Sequence, residues 1–238
     1  MTSDYPWEKF DTKPLGKALA QGKFLRWEYN RVMMCKPIIL SAMERIEEAG
    51  EISPFPPTIL IPEAIYDFEF KIVVHACPSI FKSGRTVYPI IEIPAPSVLF
   101  MPKTWFLGLL AHDFLHYVAH TINLHKKLVE LELEGDSESP VVEGVIPNKE
   151  ELSLEERDRY FYSNPKMWLI DPQIIKALQK LESNVGSKTG QALGDEVMRW
   201  MNKRRLMKEF KRGEVTGYRG EIWLHKSIIK KADGLGLI

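Results

Sequence analysis

Apolar positions recur at helical spacing from residue 15 to 49, as in "FLRWEYNRVMMCKPIILSAMERIEEAG", which predicts helix interrupted at Pro37 and closed by Gly50. The methionines and aromatics of this stripe are assigned to the core. A Pro-rich lead-in, "PFPPTILIPE", follows, and then Phe68, Phe70, Ile72 and Val74 alternate as a half-buried strand does. "SGRT" turns the chain into a second strand, "VYPIIEI". "PAPSVLFMP" reads as one more short extended piece, an edge strand because its prolines cannot donate to a ladder. From Lys103 to about Leu133 the period returns to that of a helix. The acidic, Gly-, Ser- and Pro-bearing run "ELEGDSESPVVEGVIPNKEE" reads as an exposed loop. The remaining third reads as helix over about 153–163, 171–183, 190–211 and 220–232.

This pattern predicts an α+β chain, and 238 residues suit one domain. Its N-terminal helices occupy 1–57, a core with a small antiparallel or mixed sheet 58–165, and a helical C-terminal region 166–238. Lys and Arg total 32, as do Asp and Glu, so any anionic partner, nucleic acid or lipid, requires a local patch. No apolar run approaches the roughly 20 residues that span a bilayer, and "MTSDYPWEKFDTKP" lacks the apolar centre of a secretory signal. A cytoplasmic protein with no membrane partner is the expectation. Cys35 and Cys77 form no Cys-x-x-Cys pair and are read as buried free thiols.

Four of the six histidines fall between positions 112 and 125, in and just after "LLAHDFLHYVAH". With His112 at zero on a helical wheel, His116 lies near 40°, His120 near 80°, Asp113 near 100° and Tyr117 near 140°, at about 100° per residue. Ala111, Phe114, Leu115, Val118 and Ile122 take the opposite arc, so one face carries chemistry and the other core. Two imidazoles one turn apart converge on one ion, which suits tetrahedral Zn2+. His120, about 12 Å beyond His112 along a straight helix, cannot join them. A third protein ligand therefore comes from elsewhere, leaving a fourth position for water. The competing reading is a buried polar network, and His120 and His125 are assigned to supporting or surface roles.

"HDFLH" after strand and turn resembles the His-Glu-x-x-His helix of zincin-fold zinc metallopeptidases, and "IPAPSVLFMPKTWFLGLLAHDFLHYVAH" is similar to their edge strand leading into the active-site helix. The resemblance covers roughly residues 58 to 160. It implies a zincin-like fold, Zn2+ on His112 and His116, Asp113 as general base, and a peptide or protein substrate. Asp113 stands where the family carries Glu, and the shorter arm withdraws the carboxylate by over about 1 Å when general-base reach is about 2.6 to 3.2 Å. Small gluzincin-type members take their third ligand from the next helix. The matching region is "NKEELSLEERDRYFY", where Ser153 and Glu156 form a capping box. Glu151, Glu155, Asp158, Arg159 and Tyr162 share a face. By resemblance Glu155 becomes the third metal ligand and Asp158 a hydrogen-bond partner of a ligand histidine. Tyr162, Tyr218 and His225 are oxyanion-donor candidates by residue type.

Two rivals remain. "LLAHDFLH" also resembles the His-Asp signature of HD-type metal-dependent phosphohydrolases, an all-helical family that requires an earlier helical histidine; the only one available is His75, in strand-like "KIVVHACP". The other is a catalytically degenerate metal-binding protein whose region 199–231, with eleven Lys and Arg against three Glu and interleaved Trp200, Phe210, Tyr218 and Trp223, contacts nucleic acid. Amphipathic helices that pack Trp and Met inward explain the same region, and that reading is favoured.

Overall fold

The computed structural model describes residues 8–83, 86–134, 169, 171–210, 221–222 and 225–236. The N-terminal helical stretch divides into α1 (Lys13–Ala20), α2 (Arg26–Met33) and α3 (Lys36–Gly50). Gly22, at φ +71°, makes the break between α1 and α2. Pro37 starts α3 rather than interrupting a longer helix, because a first-turn proline has no intrahelical bond to lose. Closure comes one residue after Gly50, at Glu51 in the left-handed conformation.

A five-stranded mixed sheet runs β1 (Phe10–Asp11), β2 (Thr58–Ile61), β6 (Thr86–Pro94), β5 (Cys77–Ser83), with β8 (Glu221–Ile222) also pairing β6. β2 is parallel to β1 and to β6, while β5 and β6 form the antiparallel hairpin that "SGRT" predicts, with Cys77 opposite Glu92. A second sheet has the order β4 (Ile72–Val74), β3 (Ala64–Asp67), β7 (Met207–Glu209). The expected strand through Phe68 and Phe70 is instead a tight hairpin. Asp67 Oδ1 accepts from the backbone N–H of Glu69 at 2.9 Å and of Phe70 at 3.0 Å, and Lys71 adopts φ +55°, so the chain reverses there. Phe68 and Phe70 stand in solvent. Thr58–Ile61, left within a Pro-rich lead-in, is a fully buried central strand.

"PAPSVLFMP" is also corrected: Ala95–Phe100 form helix α4, not an edge strand. Pro94 and Pro96 sit at its N-terminus, where their missing N–H groups are no loss. A short 3-10 turn, Lys103–Trp105, leads into α5 (Phe106–Glu134). α6 (Pro172–Val185) follows with Asp171 as its N-cap, accepting from Gln173 N–H at 2.7 Å, and α7 (Lys188–Arg204) is capped by Ser187. The predicted helix 190–211 ends at Arg204, with Arg205 at φ +53°, because the chain leaves to pair β7 with β3 in parallel. The predicted helix 220–232 likewise yields its start to β8 and becomes α8 (Lys226–Gly234).

One buried apolar cluster runs from Phe10 to Ala232 and takes in side chains of α1, α3, α5, α6, α7 and α8 with Leu60, Ile91 and Ile93 of the sheet. α5 is its axis, packed on α3, α6, β5 and β6. At Gly108 a Cβ would lie 2.5 Å from the Ala177 carbonyl oxygen, so α5 and α6 touch backbone to backbone there. Among the described residues no helix is long and apolar enough to cross a membrane.

Candidate metal centre

His112 and His116 project from successive turns of α5 and meet: their Nε2 atoms are 2.9 Å apart and their rings stand edge to face at 73°. With both imidazoles neutral, one Nε2–H donates to the other nitrogen, so the pair partners itself. Burial holds it neutral. The His112 pKa is lowered by desolvation, and that of His116 falls to about 3 through desolvation and then the neighbouring His112. Neutral imidazole is the form that ligates metal. Two nitrogens at about 2.05 Å from one tetrahedral ion lie about 3.3 Å apart, so the observed spacing needs an opening of only a few tenths of an ångström to accept Zn2+. The pair fits the ion.

Asp113, next to His112 on the same helix, is buried more deeply than either histidine. With Tyr117 and Thr121 it forms a stripe of buried polar side chains on α5, so the arc opposite the expected core face is buried as well. Helices and sheet cover α5 on several sides, so the apolar arc of Ala111, Phe114, Val118 and Ile122 is only part of what is buried. Asp113 is 3% exposed, its Oδ2 has no hydrogen-bond partner among the described residues, and desolvation pushes its pKa up to about 8. It lies within electrostatic reach of Cys77 on β5, whose thiol is held well above its usual range by burial, then by Glu92 and Asp113, against the opposing influence of Lys208. Glu92 itself is paired with Lys208 at 2.5 Å. This group, in which Cys77, Glu92 and Asp113 are buried and Lys208 reaches Glu92 from the exposed strand β7, was not foreseen; its visible sign was a lone carboxylate inside the apolar strand "IIEI".

Among the described residues no group of three metal-ligating side chains comes together. Glu155, the expected third ligand, lies outside the described residues, as do Glu151, Glu156, Asp158, Arg159, Tyr162 and Tyr218. His125 is half-buried on α5. His225 is buried at the start of α8, where it bonds the Pro54 backbone; desolvation lowers its pKa, while that bond and then Glu47 raise it. His75 stands in the bend between β4 and β5, on no helix, with Nδ1 2.9 Å from Ser97 Oγ of α4. Desolvation lowers its pKa to about 4.

In the basic region, Trp200 is buried and Arg204 pairs with buried Glu28 at 2.7 Å. Lys208 pairs with Glu92, and Lys231 donates to the Gly50 carbonyl. Several of its cations are thus engaged with the fold. No protein-family model, curated protein or solved structure matches this chain.

Proposed function

We propose that this chain is a zincin-like zinc metalloprotein that hydrolyses peptide bonds, with His112 and His116 holding Zn2+. The observation that carries the reading is the 2.9 Å convergence of two neutral imidazoles one helical turn apart. The mixed sheet ahead of α5 is compatible with it, although the segment matched to the edge strand is helix α4. Bound zinc supplies a Lewis acid for the scissile carbonyl and makes water a stronger acid near neutral pH. The chain's own part is to hold two imidazoles neutral and aimed, and to place Asp113 as the base that takes a proton from the attacking water. Glu155 remains the proposed third ligand.

Asp113 governs whether metal binding becomes catalysis. A carboxyl that titrates near 8 is mostly protonated at neutral pH, and beside a dication it ionises more readily. A metal-binding relative without peptidase activity is the second form of this proposal, favoured by the burial of Asp113 and its short arm. The HD-type phosphohydrolase reading is weakened by two sheets in the fold and by His75 standing off any helix.

The test is elemental analysis of untagged protein, wild type against His112→Ala and His116→Ala. One zinc per chain in the wild type, lost in both variants, supports the site. A wild type that carries no zinc and takes up none when it is added removes it. Chelator-sensitive cleavage of a peptide substrate, abolished in Asp113→Asn, then separates the enzyme from the metal-binding relative.

A further inference from the structure

We infer that the outer face of α1 and α2 is a docking surface for an anionic lipid bilayer, on which Trp27 and Met34 enter the headgroup region while flanking cations meet lipid charge. Zero net charge hides this face. From Lys13 to Lys36 the chain carries Lys13, Lys17, Lys23, Arg26, Arg31 and Lys36 against one acid, Glu28, and the fold turns that acid inward. Glu28 is 1% exposed and occupied by Trp200, Arg204 and the Leu25 N–H. Between Lys13 and Lys36 the charges left outside are then cations.

Burial and helical phase place the apolar groups among those cations. On α2, Trp27, Arg31 and Met34 follow at i, i+4 and i+7 and form one stripe, opposite Glu28 and Val32, which are buried. Trp27 is 55% exposed, Met34 67% and Leu25 40%. Lys23, Arg26 and Arg31 are exposed, and none of them pairs with an acid among the described residues. Lys103, before α5, extends the charge: it and Arg31 both act on Cys35 at the end of α2.

Charge complementarity selects an anionic partner, and the apolar groups select lipid over nucleic acid. Met34 has no flat face for a base to stack on and no group for a phosphate. It gains by leaving water for an apolar medium, and tryptophan favours the membrane boundary. Adjacent Lys and Arg add attraction to an anionic leaflet. This reading departs from the expectation of no membrane partner, and it requires peripheral contact rather than a spanning helix.

The experiment is co-sedimentation of the full chain with vesicles of phosphatidylcholine, with or without phosphatidylserine, at low and physiological salt. Trp27→Ser with Met34→Ser forms one variant and Arg26→Glu with Arg31→Glu another; all four positions are exposed, and unchanged thermal melting verifies the fold. The expected result is salt-sensitive binding to phosphatidylserine vesicles, weak binding to phosphatidylcholine alone, and an affinity loss of at least about tenfold in each variant. Failure of the wild type to bind phosphatidylserine vesicles at low salt overturns the proposal. So does undiminished binding in either variant. Retention on a single-stranded oligonucleotide without vesicle binding, lost in the charge-reversal variant, overturns it in favour of nucleic acid.

Discussion

Removal of Glu28 tests the packing that joins the N-terminal helices to α7. Its Oε1 accepts from Trp200 Nε1 at 3.1 Å and from the Arg204 guanidinium at 2.7 Å, and its Oε2 accepts from the Leu25 N–H at 2.8 Å. Glu28→Ala strips all three donors of their acceptor. The Trp200 indole N–H is left buried without a partner, and the Arg204 guanidinium, 20% exposed, recovers only part of its solvation. Losing one partner of a buried ion pair costs about 3 to 5 kcal/mol. For a chain of this size, that lowers the melting temperature by roughly 6 to 20 °C. Glu28→Gln keeps a carbonyl acceptor for Trp200 or Arg204 and loses the charge, so its cost is smaller, about 1 to 3 kcal/mol. Urea unfolding of Glu28→Ala, Arg204→Ala and the double variant closes a cycle with an expected coupling above about 1 kcal/mol. A Glu28→Ala cost below about 1 kcal/mol, or no coupling, would refute the reasoning.

Other consequences follow from single residues. His75 takes its proton near 6.5 when unfolded and near 4 when folded, so stability falls as pH drops through that window, by up to about 3 kcal/mol from this group. Unfolding measured from pH 7 to 4 shows the decline, and it is shallower in His75→Asn; an equal slope in both proteins rejects this account. Gly108→Ala, although alanine is the better helix former, destabilises by about 1 to 3 kcal/mol because its Cβ meets the Ala177 carbonyl of α6; a stabilised variant would mean the two helices are not in backbone contact. Zinc in excess raises the melting temperature of the wild type and not of His116→Ala, by the linkage of ligand binding to folding. Asp113→Glu restores the longer arm and raises any chelator-sensitive peptidase activity if reach is what limits it; unchanged activity assigns the limit to burial of the carboxyl.

The structure departs from the sequence pattern at three segments, one through a local turn and two through the packing around them. The prolines of "PAPSVLFMP" are equally compatible with an edge strand and with a helix start. In the structure they start a helix whose Ser97 is buried and meets His75. Phe68 and Phe70 alternate as strand residues do, yet a side-chain oxygen on Asp67 captures the backbone N–H groups of Glu69 and Phe70 and turns the chain. Residues 207–209 continue a helical period and become β7 because β3 offers a parallel partner, with Ala64 beside Met207.

The sequence by itself determined the helix of residues 106–134, the strand Thr86–Pro94 and the meeting of His112 with His116, since each rests on a local period of 3.6 or 2 residues. Tertiary structure alone decided that Asp113 is buried beside Cys77, that Glu28 turns inward to Trp200 and Arg204, and that the cations of α2 are left facing solvent. A period states which residues share a face. Which neighbour covers that face, and so which charges lose water, depends on segments as far apart as residues 28 and 204.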